Sequence, residues 1–243
     1  MKLENFYNNK YKDLDSKINI IPIVNNPKDR FEMAALIASN YKGSYLEIGA
    51  GSGIVAATVQ ENYTKMVLTE ISNVRVKNLK KVFINDKKFN IICHDIENDF
   101  LDYDDNFFDI VVISAVIEHL LDPLSALKKI YSKIKPDGIL ILDTPNIAKW
   151  THRIKLLFGR FPSTASLDEG LLCYDKKTPA KLYDEGHLHY FTSRSISKLL
   201  RDFVGFKRIK YYGYGSLKTT KTPFFLAKII PQLFSDIFIV ANK

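Results

Sequence analysis

The segment Glu47-Ile48-Gly49-Ala50-Gly51-Ser52-Gly53 follows an apolar run that reads as a strand (44–49, SYLEIG) and precedes one that reads as a helix (53–62). No other feature constrains the fold as much. Glycines at such a junction let the backbone turn sharply and approach a ligand closely, and the start of the next helix presents unpaired N–H groups. A strand, a glycine loop and a helix in succession are the opening unit of a parallel α/β sheet.

The rest of the chain repeats this rhythm. Strand-like runs at 65–70 (KMVLTE), 89–94 (FNIICH), 107–113 (FFDIVVI) and 138–143 (GILILD) are rich in Val, Ile, Leu and Phe, as parallel strands covered on both faces are. Helical patterns lie between them at 73–85 and 122–134. The latter opens with Asp122-Pro123, an N-cap and a first-turn proline, and stops before the turn signal Pro136-Asp137-Gly138. A helix over 29–40 covers one edge. Thr192-Ser193 caps a further helix over 194–203, and 206–214 and 234–241 supply two last strands. Residues 145–186 break the rhythm, mixing Pro, Gly, Ser, aromatic and basic residues around one helix near 147–158. The expected organisation is a single domain over 1–243, with an N-terminal helical cover over 1–40 and a substrate-side insertion or lid over 145–192.

The glycine spacing is GxGxG, with Ile54 where a dinucleotide-binding fingerprint continues differently, which argues against a nicotinamide dinucleotide. Acidic residues recur where ligands are bound in such sheets: Glu70 closes the second strand and Asp95 follows the third. A carboxylate accepts hydrogen bonds only, through two oxygens, and so suits a pair of adjacent hydroxyls. Each acid alone has a plain structural explanation. One loop and two acids at the ends of three successive strands form a pattern that chance rarely supplies.

In these features the chain resembles the class I S-adenosylmethionine-dependent methyltransferases over residues 29 to 243. The resemblance implies a Rossmann-like, doubly wound, seven-stranded and mostly parallel sheet in the order 3-2-1-4-5-7-6, with the last strand antiparallel and helices on both faces. It implies S-adenosylmethionine as cofactor and S-adenosylhomocysteine as product. On this basis Gly49, Ala50, Gly51 and Gly53 form the cofactor loop, and Glu47 faces the methionine ammonium or holds the loop. Glu70 and Ile71 meet the ribose, Asp95 and the Ile96 N–H read the adenine, and Ser114 lies under the methionine part.

The block SAVIEHLLDPLSALKKIYSKIKPDGILILDTPN resembles the small-molecule branch, which carries Glu-His and then Asp-Pro, as at Glu118-His119 and Asp122-Pro123. Enzymes that methylate base amines carry an Asn/Asp-Pro-Pro-aromatic sequence here. Its absence, with no recognisable RNA-binding module, disfavours a nucleic-acid acceptor. The segment GHLHYFTSRSISKLLRDFVGF is similar to ubiquinone-type O-methyltransferases, to a related methionine-biosynthesis family and to methyltransferases of bacterial surface-polysaccharide clusters, and the insertion and tail look most like the last. The resemblance therefore implies O-methylation of a small or lipid-linked acceptor, such as a sugar or nucleotide-sugar. The alternatives are another small-molecule or quinone-type methyltransferase, a non-catalytic partner of the same fold, and a nicotinamide-dependent oxidoreductase.

A hydroxyl acceptor needs a proton acceptor, and His119, His187 and His189 are the candidates among five histidines. No Asp-x-Asp cluster follows the fourth strand, so no metal is assigned. Charge adds a separate indication. Residues 1–144 hold 18 Lys+Arg against 20 Asp+Glu, whereas residues 145–243 hold 17 against 7. That imbalance points the C-terminal part at an anionic partner. Trp150, Arg153, Arg160 and Tyr190 are the substrate-side candidates, because a guanidinium donates paired hydrogen bonds to phosphate. The same basic-aromatic mixture fits peripheral contact with an anionic membrane. Two cysteines, Cys93 and Cys173, form no disulfide framework, and the N-terminus lacks an apolar leader core, so a cytoplasmic location is expected.

Overall fold

The computed structural model describes residues 3–10, 18, 20–98, 101–164, 186–214 and 229–243. Seven strands form one sheet: β1 (Gly43–Ile48), β2 (Tyr63–Glu70), β3 (Phe89–Cys93), β4 (Phe108–Ser114), β5 (Ile134–Pro145), β6 (Arg208–Tyr214) and β7 (Asp236–Asn242). Their order is β3-β2-β1-β4-β5-β7-β6. Strands β1 to β5 run parallel, and β7 lies antiparallel between β5 and β6. This is the Rossmann-like order and the antiparallel final strand that the sequence resemblance implies.

Side chains alternate across a strand, so each central strand feeds two cores. Tyr45, Leu68, Ile110, Ile141 and Phe238 point to one face, where α2 (Arg30–Ala38), α3 (Ile54–Val59) and α4 (Asn73–Val82) cover them. Leu46, Val67, Val111, Leu140 and Ile239 point to the other, covered by α5 (Pro123–Lys133) and α7 (Ser193–Lys198). A short helix, α1 (Leu3–Lys10), lies against the start of α4, where Ser72 Oγ and Asn8 Oδ1 are 3.0 Å apart. Helix α6 (Trp150–Leu157) is the one helix of the expected insertion among the described residues, and 165–185 of that segment lie outside them.

Local chemistry sets the helix ends. Asp122 accepts from the Ser125 N–H at 2.9 Å ahead of Pro123, and Thr192 and Ser195 form a reciprocal capping box. Helix α7 continues into a π-helical turn, Leu199–Val204, which ends at Gly205 with φ 113. The strand order reverses between β1 and β4, and the carboxyl ends of these strands splay their following loops apart, which is where open α/β sheets hold ligands.

The antiparallel strand ties the C-terminal hairpin to this parallel core. Phe238 is fully buried on it and meets the Tyr214 ring edge-on at 6.2 Å. Phe238→Ala is expected to lower unfolding stability by about 3–5 kcal/mol. Denaturant titration checks this, and a loss below about 1 kcal/mol contradicts the packing described.

Candidate functional site

The loop after β1 is held by one carbonyl. Thr69 O, near the end of β2, accepts from both the Gly49 N–H (2.9 Å) and the Ala50 N–H (3.0 Å). The chain then turns through Gly49, Gly51 and Gly53 at φ 69, 60 and 76, a left-handed region that side chains rarely adopt. A Cβ at Gly49 would lie 2.4 Å from Val116 Cγ2. The loop therefore admits no side chain there, and its backbone lines a cleft of about 640 Å3, a volume typical of a small-molecule or cofactor site.

The carboxyl ends of β1 to β4 supply the cleft's other walls. Glu70 is buried, and its Oε1 accepts the Gly51 N–H at 2.9 Å, so the acid at the end of β2 is fixed by the glycine loop. Burial raises its pKa, opposed by the Arg75 guanidinium and by backbone N–H donors. Glu47 is also buried and accepts from the Tyr45 hydroxyl at 2.8 Å. Burial pushes its carboxyl up to about 8 against the hydrogen bonds from Tyr45 and the Ala56 backbone. Asp95 Oδ1 accepts from the Glu97 N–H and Oδ2 from Asn98 Nδ2, which fixes the turn after β3.

The opposite end of the cleft follows β4. Ala115 takes φ 50, an unusual conformation for a residue with a Cβ, and donates its N–H to Asp143 O at 3.2 Å. The chain then forms a 3-10 turn, Ile117–His119, that buries Glu118 and brings His119 to the wall. Glu118 Oε2 accepts from the Thr144 hydroxyl at 3.1 Å. Burial, with the Asp143 charge adding to it, pushes this carboxyl up to about 8 against hydrogen bonds from its own backbone and Thr144. Asp143, bound by the Tyr214 hydroxyl at 2.8 Å, is lifted by burial to about 6. His187 lies beside His119 with ring centroids 4.7 Å apart, and its Nδ1 is 2.6 Å from Thr164 Oγ1.

Of the residues singled out from sequence, Glu47, Gly49, Ala50, Gly51, Glu70, Ile71, Asp95, Ile96, Ser114, His119 and His187 line this one cleft. Gly53 caps α3 just behind it. His189 lies outside the lining; its N–H donates to Glu118 O at 3.1 Å, and its ring stacks on Phe191. Trp150, Arg153, Arg160 and Tyr190 also lie outside the lining, on or beside α6. Arg153 donates through Nε to Ala148 O at 2.6 Å. Residues that sequence reasoning assigned no role complete the walls: Tyr7, Arg30, Arg75, Glu118, Thr164 and Asp236. Glu118 stands beside His119 and Arg75 five residues past Glu70; Tyr7, Arg30, Thr164 and Asp236 arrive from distant parts of the chain.

Residues 27–210 match a family described as a methyltransferase domain. Among curated proteins the chain is 26% identical over 107 residues to malonyl-[acyl-carrier protein] O-methyltransferase of Priestia megaterium, covering 43% of this chain and 38% of the relative. It is 32% identical over 97 residues to the mitochondrial arginine-hydroxylase NDUFAF5 of Mus musculus, covering 40% of this chain and 27% of the relative. The chain thus spans well under half the length of these relatives. Among solved structures, a SAM-dependent methyltransferase from Thermotoga maritima aligns with TM-score 0.57 at 19% identity, covering 87% of this chain and 88% of that one, a likeness of fold.

Glu47 links this geometry to stability. Its folded pKa of about 8 lies above the unfolded value of about 4.3, so between those pH values the folded state holds a proton that the unfolded state has lost. Its contribution is complete below the lower value and is lost as pH rises through the upper one, at up to roughly 1.4 kcal/mol per pH unit. Glu47→Gln is expected to gain on the parent protein steadily from pH 5 to pH 8 in thermal unfolding without ligand. Parallel curves contradict the assignment.

Proposed function

The chain belongs to this methyltransferase-domain family and uses S-adenosylmethionine as cofactor, and we propose that it transfers the methyl group to a hydroxyl of a small or lipid-linked acceptor such as a sugar. The observation that carries this reading is the two-ended cleft: a glycine cradle with Glu70 and Asp95 at one end, and Glu118, His119 and His187 at the other.

The residues present fit the cofactor. Glu70 accepts the Gly51 N–H on Oε1 and the Ser72 N–H, at 3.5 Å, on Oε2, and each carboxylate oxygen keeps a second lone pair for a ribose hydroxyl. Asp95 and the Ile96 N–H, which line the same cleft, are assigned to the adenine amine and ring nitrogen, and Ile71 to the ribose. Glu47 and Ser114 border the methionine part, and an ammonium brought to Glu47 favours its ionised form. Gly49, Ala50, Gly51 and Gly53 let the backbone approach. When bound, S-adenosylmethionine supplies an electrophilic methyl on a sulfonium. The protein's task is then mainly to hold an acceptor oxygen in line with that methyl, since positioning supplies roughly 7–11 kcal/mol at best. His119 and His187 face that position with Glu118, and this cluster eases loss of the acceptor's proton. His189 acts through its backbone, by fixing the Glu118 carbonyl.

The lipid-linked form of the acceptor is supported by α6. Trp150, Ile154, Leu157 and Phe158 are exposed at helical spacing, and Phe161 continues the same apolar face to Tyr190, which its ring meets edge-on at 5.8 Å. Arg153, Lys155 and Arg160 supply positive charge along this stretch. Thr164, three residues past Phe161, lines the cleft, so an anionic bilayer surface beneath α6 would present a carrier lipid's head near the reacting end. Arg160 and Trp150 then bind the carrier and its interface rather than the reacting group. Cytoplasmic operation fits this reading, and among the described residues no helix is long and apolar enough to cross a membrane.

Two measurements test these assignments. Glu70→Gln should weaken S-adenosylhomocysteine binding by roughly 10- to 100-fold in calorimetric titration, the worth of hydrogen bonds to a charged acceptor; an unchanged affinity contradicts the ribose role. Trp150 is the sole tryptophan, so its emission reports on α6 directly. It should shift to the blue with vesicles containing phosphatidylglycerol and stay unshifted with phosphatidylcholine alone, whereas no shift with either contradicts the membrane-facing role.

A further inference from the structure

Three potential ligand atoms, one each from Glu118, His119 and His187, lie within 4.8 Å of one another at the reacting end of the cleft. Two imidazoles and a carboxylate on one side of a cavity form a ligand set that suits divalent transition cations. The geometry around the set supports that use. His119 Nδ1 is 3.1 Å from Gly186 O, and because a carbonyl only accepts, Nδ1 carries the proton and the lone pair is on Nε2. A metal-bound imidazole is oriented in this same way, by giving its other N–H to a backbone carbonyl. His187 Nδ1 is likewise engaged, by Thr164 Oγ1 at 2.6 Å.

Glu118 gives the second, independent observation. It is 1% exposed, and while Oε2 accepts from Thr144, Oε1 is a buried atom with no hydrogen-bond partner among the described residues. A buried carboxylate oxygen without a partner is costly, by about 1–3 kcal/mol or more if charged. Its backbone is also fixed: Glu118 O accepts from both the Leu188 N–H and the His189 N–H, which ties the 3-10 turn to the segment that carries His187. The fold thus holds the three ligands together through main-chain bonds rather than through the ligands themselves.

We propose that Glu118, His119 and His187 bind one divalent transition cation of the zinc, manganese or iron(II) class, which takes the acceptor hydroxyl as a further ligand. This rests on the methyltransferase reading and extends it to the acceptor. Ligand bonds of about 2.0–2.2 Å require ligand atoms roughly 3–3.5 Å apart, so the cluster must draw in by at most about 1.8 Å. Three protein ligands leave a coordination position open for an oxygen. A hydroxyl held there loses its proton to water more readily because the cation stabilises the alkoxide. The oxygen's electron pair then forms the O–C bond as the S–C bond breaks, and the electrons of that bond leave with the thioether product. The acceptor class this favours is a hydroxyl able to bind through oxygen, a vicinal sugar diol above all.

The test uses the full chain, stripped of metal with a chelator and then titrated separately with Co2+ and Zn2+. One equivalent of Co2+ should bind with visible absorption bands of an imidazole- and oxygen-ligated ion, and Zn2+ should displace it. Glu118→Gln and His187→Ala should each weaken cation binding by at least about tenfold, whereas His189→Ala should not. Every variant is also titrated with S-adenosylhomocysteine, which reports on folding and on the cofactor site. Cofactor-product binding without cation uptake overturns the cation site alone. Cation binding that is equally strong in Glu118→Gln and His187→Ala overturns it too, because the ion then sits elsewhere. Failure of the parent protein to bind S-adenosylhomocysteine overturns the methyltransferase reading and this inference with it.

Discussion

Two backbone amides on one carbonyl carry the site. By accepting from both Gly49 and Ala50, Thr69 O fixes the chain's exit from β1 against the end of β2, and the left-handed glycines then open the loop outward. Everything on the cofactor side follows from that attachment. Glu70 is one residue past Thr69, so the loop that Thr69 holds is brought onto the Glu70 carboxylate through Gly51. A side chain at Gly49 would meet Val116 across the cleft, which links the loop's composition to the turn that carries Glu118 and His119.

The same sheet edge concentrates buried carboxyls. Glu47, Glu118 and Asp143 end or follow three adjacent strands, and burial raises all three above the ordinary carboxylate range. Burying acids costs stability, and Glu47 and Glu118 line the cleft itself, with Asp143 behind the second, which suits a site that receives positive charge. Under the proposed function that charge is the cofactor's ammonium at one end, and under the proposed cation site it is the metal held by Glu118 and the two histidines at the other. Arg30 offsets part of the negative charge at the second end, where it favours ionised Asp143 and Glu118.

Much of this was legible in the chain. The apolar runs gave the parallel strands and the glycine loop gave their switch point, because both depend on local periodicity and backbone freedom. Where contacts across the fold decide, the sequence reading fell short. Helix α1 meets the start of α4 through polar side chains, Asn8 with Ser72 and the Val74 N–H, and Glu4 with Asn73. Strand β2 begins at Tyr63, ahead of the expected 65, because that ring is buried and its hydroxyl donates to Ala38 O. Strand β5 begins at Ile134, which pairs with Phe108 before an irregularity that absorbs Pro136-Asp137-Gly138, with Asp137 at φ 65. In the site, the loop and its acids were readable because they sit at strand ends, but the union of Glu118 with His187 is made by main-chain bonds across about 70 positions. No spacing in the sequence announces it.

On the proposed function, one cleft holds the methyl donor at its glycine end and aims it at the Glu118, His119 and His187 cluster. A crystal structure with S-adenosylhomocysteine tests it most directly. The ribose hydroxyls should lie on the Glu70 carboxylate, with the thioether sulfur facing that cluster across an open space for the acceptor. A nucleoside bound elsewhere, or a sulfur turned away from His119 and His187, would contradict it.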